Sequence, residues 1–195
     1  MINDENPLPA VCFTKKTKGD RFMNKKIMYI ITILSTAVLL FLDQIAKYLA
    51  VLHLKGQAAI PIIKNVFELQ YLENQGAAFG IMQGKKTFFV IGTLIFLVIV
   101  VILYHNIPLT KRFTPIRIVA VLIVAGAIGN MIDRVVHQYV IDFFYFKLIN
   151  FPIFNVADIY VVIACILFIL LMLFYYKEEE LGQIFPFMKS KKAEE

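Results

Sequence analysis

A chain of 195 residues that is 59% hydrophobic and only 17% charged departs from the roughly 45–50% and about 25% of an ordinary soluble domain, and has room for one compact unit. With a mean hydropathy of +0.73, most of it has lipid for a solvent. The net charge of +6 does not indicate a nucleic-acid partner, because Lys and Arg collect at the ends and between apolar runs, where membrane proteins encode their orientation.

Residues 1–24 are polar, carry Pro7, Pro9 and a group of lysines, and read as a disordered cytoplasmic tail. Met23-Asn-Lys-Lys would itself look natural as a start. The apolar run from Ile27 to Leu42 is too continuous for a secretory signal and has no small-residue cleavage site before Asp43, so it reads as a retained helix. Four apolar runs reach or approach the ~20 residues needed to span a bilayer core. They cover about 27–49, 87–104, 116–136 and 156–176. Lipid offers the backbone no hydrogen-bond partners, so each run should be helical. Residues 25–178 thus form one four-helix domain, and residues 179–195 a second cytoplasmic tail. Lys15, Lys16, Lys18, Arg21, Lys25 and Lys26 precede the first helix; Lys111, Arg112, Arg117, Lys177, Lys189, Lys191 and Lys192 fall on the same side. The opposite side is poorer in such residues, so both termini should face the cytoplasm.

Two segments, about 50–86 and 137–155, then face outward. In the longer one, Phe67-Glu-Leu-Gln-Tyr71 alternates with period two, as a half-buried strand does. The small residues of Asn74-Gln-Gly-Ala-Ala-Phe-Gly80 follow and suit a turn or close backbone approach. The shorter segment is rich in Phe and Tyr, suiting the headgroup level. Cys12 and Cys165 are unsuited to a disulfide or a zinc site. His53, His105 and His137 form no ligand set, and neither metal nor cofactor is expected.

Charges inside membrane helices cost at least about 2.5–3.5 kcal/mol at mid-bilayer, so each needs a reason. At 1.5 Å per residue, Asp43 lies roughly 24 Å along the first helix, Asn130 ~21 Å along the third, and Asp133 and Arg134 ~26 Å or slightly beyond. Asn155 and Asp158 occupy the first turn of the fourth helix, which enters from the outer face, and Asp142 lies in the segment before it. These groups converge near the outer boundary. Asp43 with Lys47, and Asn130 with Arg134, are i,i+4 pairs able to face a shared interior. Plainer readings exist for each. Asp43 and Lys47 suit a helix-end ion pair with a snorkelling lysine, and Asp133-Arg134 an interfacial charge pair. Asn155-Val-Ala-Asp158 suits an N-cap with an acid at N3. None explains the common depth, and residues alone leave Asp133 and Asp142 as rivals for a catalytic role.

Five ordered blocks make the chain resemble the lipoprotein signal peptidases (signal peptidase II) over about residues 27–176. They are Asp43-Gln-Ile-Ala-Lys47, Asn74-Gln-Gly-Ala-Ala-Phe79, Gly126-Ala-Ile-Gly-Asn-Met-Ile-Asp-Arg134, Val140-Ile-Asp-Phe143 and Phe154-Asn-Val-Ala-Asp158. The resemblance implies a monomeric aspartyl endopeptidase of the bacterial membrane: an all-α membrane protein of four transmembrane helices with a small extracytoplasmic β-sheet. Asp142 and Asp158 match the family's catalytic pair. Asp43, Lys47, Asn74, Gly76, Asn130, Asp133, Arg134, Asn155 and Ala157 match residues that bind substrate or support the site. The implied partners are diacylglyceryl-modified prolipoproteins and membrane lipids, with no nucleic acid. Paired carboxylates share a proton, and Asp158, near the positive end of its helix, is the expected base, with Asp142 as acid. A proton-coupled transporter would instead place acids near the midplane in repeated halves, and a helix-binding scaffold would leave Asp142 unexplained.

Overall fold

The computed structural model describes residues 24–76 and 86–185. Helix α1 (Lys25–Leu54) leads into strands β1 (Ile60–Ile63) and β2 (Phe67–Asn74), then α2 (Lys86–Asn106) and α3 (Thr114–His137). Strand β3 (Val140–Tyr145) precedes α4 (Val156–Leu170), which continues as a π-turn over Leu171–Tyr175 before a short α5 (Glu178–Ile184). Four of these helical segments are long and apolar enough to cross a membrane. Their outer faces expose side chains such as Ile33, Phe41, Val101 and Leu173, an apolar exterior that water would not tolerate on this scale.

Helix α3 is the hub, packing against α1, α2 and α4. Small residues permit this close approach, as they commonly do between membrane helices. A Cβ added at Gly126 would lie 2.6 Å from the Ala157 carbonyl oxygen and 2.7 Å from Val161 Cγ2. One at Gly129 would lie 2.6 Å from Asp43 Oδ2. Gly126→Ala is therefore expected to cost about 1–3 kcal/mol and lower the melting temperature in detergent. Gly92→Ala, which meets nothing within 4 Å, should leave melting unchanged or raise it slightly. Equal melting of the two variants would contradict this packing.

Strands β1, β2 and β3 form one antiparallel sheet in that order. The alternation noted at 67–71 is thus a strand, lengthened to Asn74. The segment around Asp142, read above only as a connection, is also a strand. Its Leu72↔Asp142 and Asn74↔Val140 pairings place Asp142 on the sheet face shared by Leu72 and Asn74. Phe143 and Phe144 donate backbone N–H bonds to the Phe154 carbonyl at 3.0 and 2.8 Å, which ties β3 to the start of α4. Aromatic residues of the 137–155 segment also pack within this unit: Phe146 stacks on Phe154 and meets Phe67 at a tilted angle.

Two boundaries differ from expectation. Helix α1 continues past residue 49 to Leu54 because Ala50 and Leu54 pack with Ile141 and Phe143 in a buried cluster beneath the sheet. The stretch from residue 179, expected as a tail, begins within α5. Leu181 and Ile184 join Tyr104, Ile107 and Phe113 in a second cluster at the other end of the bundle, and Arg112 binds Glu180 at 2.9 Å. Arg117, counted above among orienting surface charges, is buried and donates to the carbonyls of Ile107 and Pro108. The expected N-terminal tail lies outside the described residues apart from Asn24, which caps α1.

Candidate active site

Two layers of polar side chains occupy the sheet end of the bundle. The inner layer centres on Lys47, only 1% exposed. Its ammonium sits 2.9 Å from both Asp43 Oδ2 and Asp133 Oδ2 and donates to Asn130 Oδ1 at 3.0 Å. A snorkelling lysine is thereby ruled out, because the charge points into the protein. Both carboxylates also accept backbone N–H groups, from Ala157 to Asp43 at 2.9 Å and from Ile141 to Asp133 at 3.1 Å. Each of those residues is the immediate chain neighbour of Asp158 or Asp142. The ion cluster therefore fixes the two segments that carry the outer acids.

The outer layer is joined to the inner by Asn130 and Asn155. Asn130 donates to Asp158 Oδ1 at 2.8 Å while its own Oδ1 accepts from Lys47 and Asn155. Asn155 caps α4: its Oδ1 accepts from the Asp158 N–H at 3.0 Å, and its N–H donates to Asp158 Oδ2 at 3.1 Å. This is the capping box expected from the sequence, but the same Asn155 also donates from Nδ2 to Asp142 Oδ1 at 2.6 Å. Asn74 donates to Asp142 Oδ2 at 2.8 Å and accepts the Gly76 N–H. Capping and site-building are thus performed by one residue.

Asp142 and Asp158 line one cavity of about 660 Å³, together with Asn74, Gly76, Asn130 and Arg134. Its floor runs down between α2 and α4 past Thr93, Gly126 and Val162. Burial pushes the Asp142 carboxyl up to about 7, and the neighbouring Asp158 charge adds to the rise; bonds from Asn74 and Asn155 and the Lys47 charge oppose it. Arg134 does not pair with Asp133, its chain neighbour. It donates to the Gly76 carbonyl at 3.2 Å, and its guanidinium lies 4.8 Å from the centre of the Phe89 ring.

All eleven residues singled out in the sequence are found in these layers. Asp133 and Asp142, which the residues alone left as rivals, separate: Asp133 is neutralised by Lys47, while Asp142 faces the cavity. Sequence reasoning gave no role to Gln44, whose amide bonds Asp43, Asp133 and the Gly129 carbonyl. Its position beside Asp43 was the only hint. Among the described residues, no group of three His, Cys, Asp or Glu could hold a metal ion.

Four helices long and apolar enough to span a membrane, a small sheet and carboxylates gathered around one cavity at the sheet end of the bundle define a polytopic membrane protein with an acid-lined site. A family profile described as "Signal peptidase (SPase) II" matches residues 35–174. Lipoprotein signal peptidases from Caldanaerobacter subterraneus and Clostridioides difficile are 43% and 40% identical over 143 and 150 residues. Those matches cover 73% and 76% of this chain and 95% and 96% of the relatives. A solved bacterial membrane enzyme, determined by the in meso method, matches with a TM-score of 0.66 and 34% identity over 73% of this chain and 87% of its own. The chain belongs to the signal peptidase II family, and is by that membership a protease of bacterial membranes.

Proposed function

We propose that the protein removes signal peptides from lipid-modified prolipoproteins by aspartyl catalysis, cutting just before the diacylglyceryl cysteine. One observation carries the proposal: Asn155 bonds Asp142 with its side chain and Asp158 with its backbone, so two carboxylates from separate elements face one cavity. In the hydrolysis, the Asp158 carboxylate takes a proton from water, and the water oxygen bonds to the scissile carbonyl carbon. Asp142, still protonated, gives its proton to the carbonyl oxygen. Collapse breaks the C–N bond; a hydroxyl proton returns to Asp142, and the proton held by Asp158 passes to the cysteine nitrogen. Both carboxyl groups regain their starting states.

Several features support the assignment of the roles. Asp158 begins α4, where helix N–H groups favour negative charge, whereas Asp142 is held largely out of water. Arg134 and the amides of Asn74 and Asn130 stand where substrate carbonyl or headgroup oxygens would enter. Signal helix and acyl chains fit the apolar groove between α2 and α4, and the family's lipid setting accords with a monomer whose termini are both cytoplasmic.

The reaction requires protonated Asp142, so its rate should fall as pH rises through about 7. Purified protein in detergent with a lipidated precursor peptide, scored for signal-peptide release between pH 5 and 9, tests this. A rate that climbs steadily through pH 8 would reverse the two roles, and no release at any pH would defeat the proteolytic reading.

A further inference from the structure

Helices α1 and α2 each pack on α3 but scarcely on one another. At the end of the bundle away from the sheet, the gap between them forms a cavity of about 440 Å³, floored by Ala120, Val121 and Val124. It shares no lining residue with the acid-lined cavity, which lies between α2 and α4. Its walls are mostly aliphatic, and its polar atoms gather at one end. The Tyr29 hydroxyl bonds His105 Nδ1 at 3.0 Å, and Thr32 bonds the Tyr104 hydroxyl. Tyr29 and His105 lie within about 6 Å of the ends of their helices, at headgroup level. From Tyr29 to Thr36 the groove runs ~10 Å along α1, most of one leaflet of a ~30 Å hydrocarbon core.

The mouth of the groove is positive. Lys25 stands one turn before Tyr29 on the same face of α1, exposed and bonded to no other described residue. Behind the mouth, the Arg117 guanidinium lies 5.0 Å from the centre of the Tyr104 ring and is only 4% exposed. It donates to the carbonyls of Ile107 and Pro108, and its Nε has no partner. Arg117 is always charged, yet among the described residues no carboxylate pairs with it. Glu180, which α5 brings to this end, is taken by Arg112. A buried cation without a counter-ion is costly, so an anion held nearby lowers the energy of this end of the bundle.

We infer that this groove holds an acyl chain of one anionic phospholipid, drawn from the leaflet opposite the acids, with its phosphate beside Lys25 and His105. The aliphatic walls suit the chain, and the depth of Tyr29 and His105 suits the headgroup. The positive mouth selects its sign. A zwitterionic lipid would satisfy only the first two. The site is separate from the acid-lined cavity and does not depend on the proteolytic reading.

The chain contains no Trp, so a single introduced indole reports its own surroundings. Val101→Trp places it at the rim of the groove, and Leu173→Trp places it at the same end of the bundle on exposed α4 surface. Each variant is reconstituted in vesicles of phosphatidylglycerol and phosphatidylcholine, with bromine on the acyl chains of one lipid at a time. Quenching at position 101 should show about fivefold preference for phosphatidylglycerol, the effect of one lysine beside an anionic headgroup, and at position 173 almost none. Adding Lys25→Gln, which alters only an exposed side chain, should cut the preference at position 101 by about half or more. Equal preference at the two positions, or a preference indifferent to Lys25→Gln, reduces the groove to ordinary boundary lipid and overturns the inference. Quenching by neither lipid at position 101 also overturns it, since the groove is then filled by protein, such as a second copy of the chain.

Discussion

Asp158→Asn and Asp142→Asn should each lower the rate of signal-peptide release by roughly 10⁴-fold, the scale seen when one member of a cooperating catalytic unit is removed. The amide is nearly isosteric but can neither deprotonate water nor return a proton to the carbonyl oxygen. Folding should survive. In Asp142→Asn one amide oxygen can still accept from Asn155 or Asn74, and at most one of the bonds at 2.6 and 2.8 Å is lost, worth about 1 kcal/mol. Circular dichroism and thermal melting in detergent should therefore resemble wild type while release is abolished. Combining both substitutions should add little to either alone, because the two groups act as a unit. Substantial activity in Asp142→Asn would transfer the role to Asp133.

Lys47→Met is expected to damage stability more than any single change to the outer acids. The ammonium neutralises Asp43 and Asp133 at 2.9 Å each in surroundings that exclude water. Removing it leaves two buried carboxylates without their cation, and breaking such a cluster costs about 3–5 kcal/mol. The melting temperature in detergent should drop by many degrees, and activity should fall with it. Those carboxylates hold the Ala157 and Ile141 N–H groups beside the outer acids. The triple variant Lys47→Met/Asp43→Asn/Asp133→Asn removes the stranded charges and should recover part of the lost stability. If Lys47→Met melts like wild type, the cluster is not what fixes the two segments.

Much of this arrangement was written locally in the chain. Apolar runs of bilayer length produced the four helices, the 67–71 alternation produced β2, and Asn155 with Asp158 produced the capping box. The polar residues could be placed at one depth by counting along each helix, because helical rise per residue is constant. What counting could not provide was azimuth and partner. Asp133 and Asp142 sit at similar depth, and only the packed structure turns one toward Lys47 and the other toward the cavity. The return of α5 onto the bundle was hidden for the same reason: its acidic first turn looks like a solvated tail until Leu181 and Ile184 find Tyr104 and Phe113.

The sequence by itself thus determined a membrane-embedded four-helix chain with its polar groups at one boundary, since hydropathy and helical rise are local quantities. Tertiary structure alone decided which acid is paired and which is left to face the cavity. The contacts that make this choice span up to 114 residues, as between Ala157 and Asp43. They also depend on the missing side chains of Gly126 and Gly129, which let α3 draw close enough for a lysine from α1 to reach acids on two helices.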